Sequence, residues 1–209
     1  MNVKERDLKQ QIIDEAKGMF MRFGIKSVSM DDIARKMGIS KKTLYLHLEN
    51  KAELISLILE EKLLEEVSTM EKLRKSASNA IEEILGIADF IVATLREMPP
   101  MIIYDLQKYY QATWREFDEK YKTHIHRTIL ENIKWGVKQG YYRQDINPDI
   151  ITKFYVGKAM VVVDEEMFPA DNYDCDVLFQ EHIEYHIHGI ASPKGLEIFE
   201  HRKQNKQPK

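Results

Sequence analysis

The sequence predicts an all-α protein in which an N-terminal helix-turn-helix domain of three helices precedes a larger helical domain, with about nine helices in total. Three observations favour this fold class. Glycine and proline number only nine and six among 209 residues. Apolar residues recur at three- and four-residue intervals, the spacing that keeps one face of a helix apolar. Short segments with capping residues fill the N-terminal part, and longer segments follow.

Capping signals set the boundaries of the N-terminal helices. Ser29 precedes a helical segment, and Asp32 three residues later completes a capping box. Gly24 and Gly38 stand where helices are expected to end, because glycine adopts the left-handed conformation that closes a helix. Ser40 caps the next segment. The predicted helices of this part are Lys4 to Phe23, Ser29 to Gly38, Ser40 to Asn50 and a long fourth helix from about Ala52.

The rest of the chain is predicted to hold five further helices. Pro99, Gly140 and Pro193 mark helix ends, and Asn147-Pro148 marks a start, since proline is favoured in the first turn. The predicted helices cover about 78–98, 101–110, 113–139, 147–167 and 176–191. We therefore divide the chain into a helix-turn-helix domain at 1–51, a second helical domain at 52–200 and a polar tail at 201–209.

Charge is divided unevenly between these parts. Residues 1–51 contain eleven lysines and arginines against seven acidic residues, a net charge of +4. The whole chain carries −3, so residues 52–209 carry −7. A basic N-terminal part joined to an acidic remainder predicts a polyanionic partner that binds at one end only.

The segment from Ser29 to Lys51 has the punctuation of a helix-turn-helix motif, two short capped helices joined by Gly38-Ile39-Ser40. The outward face of the second helix carries hydrogen-bonding and cationic side chains, as a helix that enters the major groove requires. These side chains belong to Lys41, Lys42, Thr43, Tyr45 and His47. The alternative is that the lysines form an ordinary solvated face, and spacing alone does not separate the two interpretations.

The pattern over residues 28–54 resembles the signature of the TetR family of bacterial regulators. The segment reads VSMDDIARKMGISKKTLYLHLENKAEL, and the family pattern T-x-x-x-I-A-x-x-x-G-[VI]-S-x-x-T-[LIF]-Y-x-[HY]-F-x-[NS]-K-x-x-L matches it at nearly every marked position. Ser29 and Leu48 replace the more common threonine and phenylalanine, and Lys42 stands where glycine or alanine is frequent. Beyond residue 55 the resemblance is to the family's arrangement of helices, with little motif content.

This resemblance implies roles for individual residues. Ser29 and Met30 would lie beside the DNA backbone at the start of the second helix, and Lys51 would hold the backbone at the start of the fourth. Tyr45 would contact a phosphate, and His47 a phosphate or a base edge. The full set of expected DNA contacts is Ser29, Met30, Lys41, Lys42, Thr43, Tyr45, His47 and Lys51.

For the remaining helices the resemblance implies a cavity for a small effector and a dimer interface formed by the last two helices. Apolar and aromatic side chains of the middle helices are candidates for a pocket that takes an apolar or aromatic molecule, although an aromatic at helical spacing is more commonly a core residue. These candidates are Phe90, Trp114, Phe117, Trp135, Phe154, Tyr155 and Met160. The candidate dimer interface on the last helix comprises Phe179, Ile183, His186, Ile187 and Ile190.

The expected function is that of a transcriptional regulator, most simply a repressor, which binds a near-palindromic operator on double-stranded DNA as a homodimer and is released by a small molecule. The alternative is a ligand-independent architectural protein that binds DNA without sequence choice. An enzyme is not expected, because the sequence has no nucleophile elbow, phosphate-binding loop or metal motif.

Three further features predict ordinary roles. Cys175 is the single cysteine, so an internal disulfide is excluded. His182 and His186 have the spacing of metal ligands on a helix, but the pattern lacks further ligand signals, so we expect neither a metal nor a cofactor. Because no apolar run approaches the ~18 residues of a membrane span and no apolar segment follows the N-terminus, we expect a cytoplasmic protein with no membrane partner.

Overall fold

The computed structural model describes residues 3–206 except 163, 165 and 170. Across these residues the chain is helical, and its only sheet-like feature is one isolated antiparallel bridge between Tyr142 and Ala191. The all-α fold class is therefore confirmed. The ten helices in the described part are α1 (Val3–Phe23), α2 (Met30–Met37), α3 (Lys41–Tyr45), α4 (Lys51–Ser76), α5 (Ala80–Glu97), α6 (Pro100–Tyr109), α7 (Gln111–Gln139), α8 (Pro148–Val162), α9 (Cys175–Ile190) and α10 (Pro193–Lys206).

The C-terminal end differs from the sequence prediction. Pro193 does not only follow α9 but begins a tenth helix, because its fixed φ suits a first helical turn and Ser192 caps that turn. Phe199 is 4% exposed and anchors α10 to the rest of the chain. Residues 201–206 of the expected polar tail are thus helical, and 207–209 lie outside the described residues. Helix α8 ends at Val162, short of the expected end near Met167.

The first compact unit consists of the chain through Glu66 together with Arg96–Tyr121. Its core is a single cluster of buried apolar side chains from α1, α2, α3, α4 and α6. Ile12, Ile33, Leu44 and Leu54 are fully buried there. Helices as short as α2 and α3 are marginal by themselves, so this shared core holds them.

The second compact unit consists of Val67–Leu95 and the chain from Lys122 onward. Within it α9 packs along α8 and contacts α10. A buried polar network lies at its centre, where Asn132 Nδ2 donates to the carbonyl of Ala80 and to Glu83 Oε2, both at 2.8 Å. The Tyr142 hydroxyl donates to Asn132 Oδ1 at 2.9 Å, and Arg74 pairs with Glu83 at 2.5 Å. Because buried polar groups are costly unless hydrogen-bonded, this network favours one arrangement of α5 and α7.

The division into compact units does not follow the domain boundary drawn from sequence. Residue 51 is the first residue of α4, and the first unit continues to Glu66 and includes all of α6. The helix-turn-helix segment therefore shares its core with helices assigned by sequence to the second domain. In the described part of the chain, no helix is both long and apolar enough to cross a membrane.

Candidate nucleic-acid interface

The helix-turn-helix segment is held by two capped helices and a glycine turn. The Ser29 hydroxyl accepts the backbone N–H of Asp32 at 3.1 Å, and the Asp32 carboxylate accepts the backbone N–H of Ser29 at 3.0 Å. The Ser29 hydroxyl also donates to the Asp32 carboxylate, and this bond, together with the one from the Ser29 backbone N–H, keeps the pKa of Asp32 below its ordinary value. Gly38 closes α2 with φ of 67°, a left-handed conformation that favours glycine. The predicted capping box and turn are both present.

Helix α3 turns one face inward and the other to solvent. The Ser40 hydroxyl accepts the backbone N–H of Thr43 at 3.0 Å, which caps this five-residue helix. Leu44 and Leu48 are 0% and 2% exposed in the core. With its inner face fixed in this way, Lys42 and Tyr45 extend outward and are exposed, and His47 is half-buried.

Two of the expected contact residues already have partners within the motif. Lys41 Nζ lies 2.8 Å from Asp31 Oδ1, and this ion pair joins α3 to α2 and raises the pKa of Lys41. The Thr43 hydroxyl lies 2.8 Å from the Ser40 hydroxyl. Lys42, by contrast, forms no ion pair with any described residue. Lys42 is therefore the cation of α3 most available to DNA.

The start of α2 is less exposed than the sequence suggested. Met30 is 7% exposed and belongs to the core cluster, so the structure contradicts a side-chain contact with DNA at this position. Its apolar side chain is buried in the same cluster as Ile33 and Ala34 of α2. The Ser29 hydroxyl is also engaged, since it donates to Asp32 Oδ2 at 2.5 Å. Any phosphate held here would meet backbone amides.

Lys51 has an internal partner that the sequence did not reveal. Its ammonium donates to the backbone carbonyl of Ile25 at 2.5 Å. The same ammonium lies 5.6 Å from the ring centroid of Phe20 and 5.8 Å from that of Tyr110. Partial burial lowers the pKa of Lys51. An ammonium has three N–H donors, so two remain after the Ile25 bond.

Helix α6 holds the loop between α1 and α2. The backbone N–H of Lys26 donates to Asp105 Oδ2 at 2.7 Å, and Asp105 is only 5% exposed. Lys26 Nζ also donates to the Tyr109 hydroxyl at 2.9 Å. Asp105 lies 79 residues from Lys26 in the chain, so no local sequence signal could have identified this pair. A carboxylate on a helix seventy-odd residues away thus fixes the entrance to the motif.

Leu46 is a surface residue that the sequence analysis passed over. At 74% it is the most exposed large apolar side chain in the described part of the chain. It caps the end of α3, where its backbone N–H donates to the carbonyls of Lys42 and Thr43. The signal for it was available, because Leu46 follows Lys42 by four residues and so shares its helical face.

The candidates for the effector pocket are distributed over both compact units. Trp114 and Phe117 pack against the core of the first unit, whereas the other five candidates lie in the second. Phe154 is 60% exposed and Met160 41% exposed. A cleft of about 800 Å³ in the second unit is lined by mostly charged side chains and by none of the seven candidates.

The stripe expected to form a dimer interface lies inside the chain. Phe179, Ile183, Ile187 and Ile190 are between 0% and 5% exposed, and His186 is 7% exposed. Helices α8 and α10 of the same chain contact α9, and Tyr155 of α8 packs against the ring of His186. The periodicity correctly identified a buried face, but its partner is the same chain.

A different face of α8 and α9 is apolar and exposed. On α8 it carries Ile150, Phe154 and Val161, at 47%, 60% and 40% exposure. On α9 it carries Val177 and Tyr185, at 56% and 68%. We call these five residues the α8–α9 face. Lys158 connects its two halves, since Lys158 Nζ lies 4.0 Å from the centroid of the Tyr185 ring.

His182 and His186 are buried against Tyr155. Their ring centroids lie 4.9 and 4.7 Å from that of Tyr155, and the Nε2 atom of each has no hydrogen-bond partner among the described atoms. Burial lowers the pKa of His182 to about 4 and that of His186 to about 3. Both rings are therefore neutral at pH 7 and serve as packing groups.

Known proteins resemble this chain in sequence and in fold. A family model described as "Bacterial regulatory proteins, tetR family" matches residues 12–58. The transcriptional repressor KstR2 of Rhodococcus jostii is 24% identical over 186 residues, which cover 88% of this chain and 91% of that protein. A transcriptional regulator from Cytophaga hutchinsonii superposes with a TM-score of 0.73 at 18% identity, over 88% of this chain and 98% of that one. SmeT, solved as a complex with triclosan, has a TM-score of 0.69 at 13% identity, over 88% and 92%.

The N-terminal unit of this all-helical chain presents α3, the second helix of the motif, capped and with one face to solvent. This arrangement defines the class of helix-turn-helix regulators of transcription. Like the relatives it matches, it is a regulator of transcription and not an enzyme. Residues 12–58 match the DNA-binding part of the TetR family of bacterial regulatory proteins, and a relative that spans most of the chain is named a transcriptional repressor.

Proposed function

We propose that this protein is a ligand-responsive repressor that binds a near-palindromic operator as a homodimer in the bacterial cytoplasm and is released by a small apolar or aromatic molecule. The observation that carries the proposal is the exposed face of α3. Its cation Lys42 and its hydroxyl-bearing Tyr45 extend outward while Leu44 and Leu48 fix the opposite face in the core.

Contacts to DNA divide by chemistry. Lys42, with Thr43 beside it, is proposed to reach base edges in the major groove. Tyr45, His47, Lys41 and Lys51 are proposed to hold phosphates, which position the protein without reading sequence. Lys41 would keep its ion pair with Asp31 at 2.8 Å, so it contributes less charge than Lys42.

A second copy of the chain is the proposed partner of the α8–α9 face. Phe154 and Tyr185, at 60% and 68% exposure, stand on neighbouring helices of one unit. Two such faces related by a two-fold axis would bury apolar surface from four helices. The dimer would then present two α3 helices, which explains the expectation of a near-palindromic site.

Relatives support the repressor role and the effector class. KstR2 is named a repressor, and SmeT was solved with triclosan, an aromatic molecule. An effector releases DNA only if it binds one state of the protein more tightly than the other. For this chain, thermal unfolding against a panel of aromatic and aliphatic compounds should identify molecules that raise the melting temperature and also weaken operator binding.

Selection of bound fragments from random DNA tests the central proposal. We expect two half-sites about one helical turn apart and an affinity at least 10³-fold above that for random DNA at physiological salt. Lys42→Ala should lose this preference, and Leu64→Ala serves as the control because Leu64 lies on α4, far along the chain from α3. Equal affinity for all DNA would instead support a ligand-independent architectural protein.

A further inference from the structure

We infer that Leu46 is a specificity-determining residue of this regulator, which reads the 5-methyl group of a thymine in the major groove. The inference rests on the proposed DNA-binding function of α3. Single exposed leucines are common on protein surfaces and need no explanation by themselves. The position of Leu46 is what distinguishes it.

Helical geometry places Leu46 on the proposed reading face. Its backbone N–H donates to the carbonyl of Lys42 at 3.2 Å and to that of Thr43 at 3.3 Å, so the chain is still helical at this residue. Residues four apart on a helix are neighbours on one face, so Leu46 lies beside Lys42. Its φ and ψ of −72° and −22° are helical as well.

The hydrogen-bonding groups near Leu46 are partly occupied, which leaves an apolar contact as a means of base choice. The Thr43 hydroxyl is engaged with Ser40, and Lys41 is engaged with Asp31. Lys42 provides one free cation. Leu46 provides a branched apolar side chain, 74% exposed, with no aromatic or polar group that could bind a phosphate.

Thymine is the base that such a side chain would recognise. In the major groove the only apolar group that distinguishes a base pair is the thymine methyl group. Covering that methyl with Leu46 removes both from water, which corresponds to about a fourfold gain in affinity for one methyl-sized group. Leu46 would thus favour A·T pairs at one position of each half-site.

Replacement of thymine by uracil removes this methyl group and nothing else. The experiment uses the full chain and the operator selected from random DNA, with each thymine of a half-site changed in turn to deoxyuridine. We expect wild-type protein to lose about fourfold at one position, and Leu46→Ala to bind the thymine and uracil forms equally. Leu46→Met, which keeps an apolar side chain, should retain part of the discrimination.

Leu64→Ala is the matched control, because Leu64 is 68% exposed and lies in the same unit. This variant should keep the full thymine preference. The inference is overturned if wild-type protein binds the thymine and uracil forms equally at every position, or if the selected half-site holds no thymine. It is also overturned if Leu46→Ala loses as much affinity as wild type when thymine is replaced by uracil. Failure of the proposed function would look different, since wild-type protein would then select no DNA sequence at all.

Discussion

Lys51 Nζ lies 2.5 Å from the carbonyl oxygen of Ile25, so the first residue of α4 anchors the loop that leads into the helix-turn-helix segment. Replacement of Lys51 by Met keeps the aliphatic stem and removes the ammonium. We expect the free energy of unfolding to fall by about 1.5–3 kcal/mol, the value of a hydrogen bond to a charged group. Thermal denaturation of the two proteins checks this.

The same variant also tests the proposed phosphate contact. A plot of log affinity against log salt concentration should become shallower by about one unit if Lys51 neutralises one phosphate. An unchanged slope with lowered stability would restrict Lys51 to its role as a loop anchor. An unchanged melting temperature would contradict the role of Lys51 as an anchor of the loop.

Lys41 and Lys42 are adjacent lysines in different electrostatic situations. Lys42→Ala should weaken binding to the selected operator by about tenfold or more and binding to random DNA much less, because it removes a base contact. Lys41→Ala should cause a smaller loss, of similar size on both DNAs, because Asp31 already neutralises part of its charge. Titrations of both variants on both DNAs make the comparison. Equal losses for the two lysines would contradict this division.

The α8–α9 face should carry the dimer. Phe154→Glu combined with Tyr185→Glu places charges on this face, and their burial between two copies would be unfavourable. We expect sedimentation velocity to show a folded monomer. Leu64→Glu, at a comparably exposed position on α4, should remain a dimer. A double variant that still sediments as a dimer would place the interface elsewhere.

A substitution inside α9 should behave differently. Ile187 is 0% exposed within one chain, so Ile187→Glu buries a carboxylate in the core of the second unit. We expect loss of helical circular dichroism or a much lower melting temperature, and not a folded monomer. A stable, helical monomer would indicate that Ile187 faces a second copy after all.

His182 and His186 make stability depend on pH. In the unfolded chain a histidine takes up a proton near pH 6.5. In the folded chain burial lowers the pKa of His182 to about 4 and that of His186 to about 3. Below pH 6.5 the unfolded state therefore gains protons that the folded state does not, and stability falls as pH falls towards 4.

Denaturant unfolding between pH 7 and pH 5 measures this slope before most carboxylates titrate. The double variant His182→Leu, His186→Leu should flatten it, since neither Nε2 has a hydrogen-bond partner to lose among the described atoms. Lys158 on α8, whose charge faces both histidines, remains in both proteins. An equally steep slope in the variant would show that other groups govern the dependence.

Gly136 on α7 leaves room for the ring of Tyr142. A methyl group at this position would overlap the ring, which is fully buried and held by its hydrogen bond to Asn132. Gly136→Ala should cost about 1–3 kcal/mol, as overpacking in a core does. Gly18→Ala, on α1 with open space around it, should instead stabilise by about 0.5–1 kcal/mol. Thermal unfolding of the two variants should show a lower melting temperature for Gly136→Ala and a higher one for Gly18→Ala.

Local signals in the sequence predicted the features that local chemistry determines. The capping box of Ser29 and Asp32, the turn at Gly38 and the cap at Ser40 depend on residues at most four positions apart. The outward face of α3 follows from the same local information. The buried position of Met30 depends on the helices packed over it, and was wrongly assigned.

Contacts between segments that are distant in the chain could not be predicted from the sequence. Lys51 and Ile25 are 26 residues apart, and Asp105 and Lys26 are 79 apart. The apolar stripe of α9 shows the same limit, since a helical period identifies a buried face but not what covers it. Ile187 was assigned to a second copy for this reason, whereas it is fully buried within one chain.

Helix α3 has only five residues, barely more than one turn. The Ser40 cap and the buried side chains of Leu44 and Leu48 stabilise it. As an isolated peptide it would be unstructured and would not bind DNA. Lys42 and Leu46, in contrast, are exposed and support nothing in the core, so their replacement should leave the fold unchanged. New operator preferences can therefore arise by single substitutions at these two positions while the scaffold beneath them stays intact, which makes the segment easy to diversify by mutation or by design.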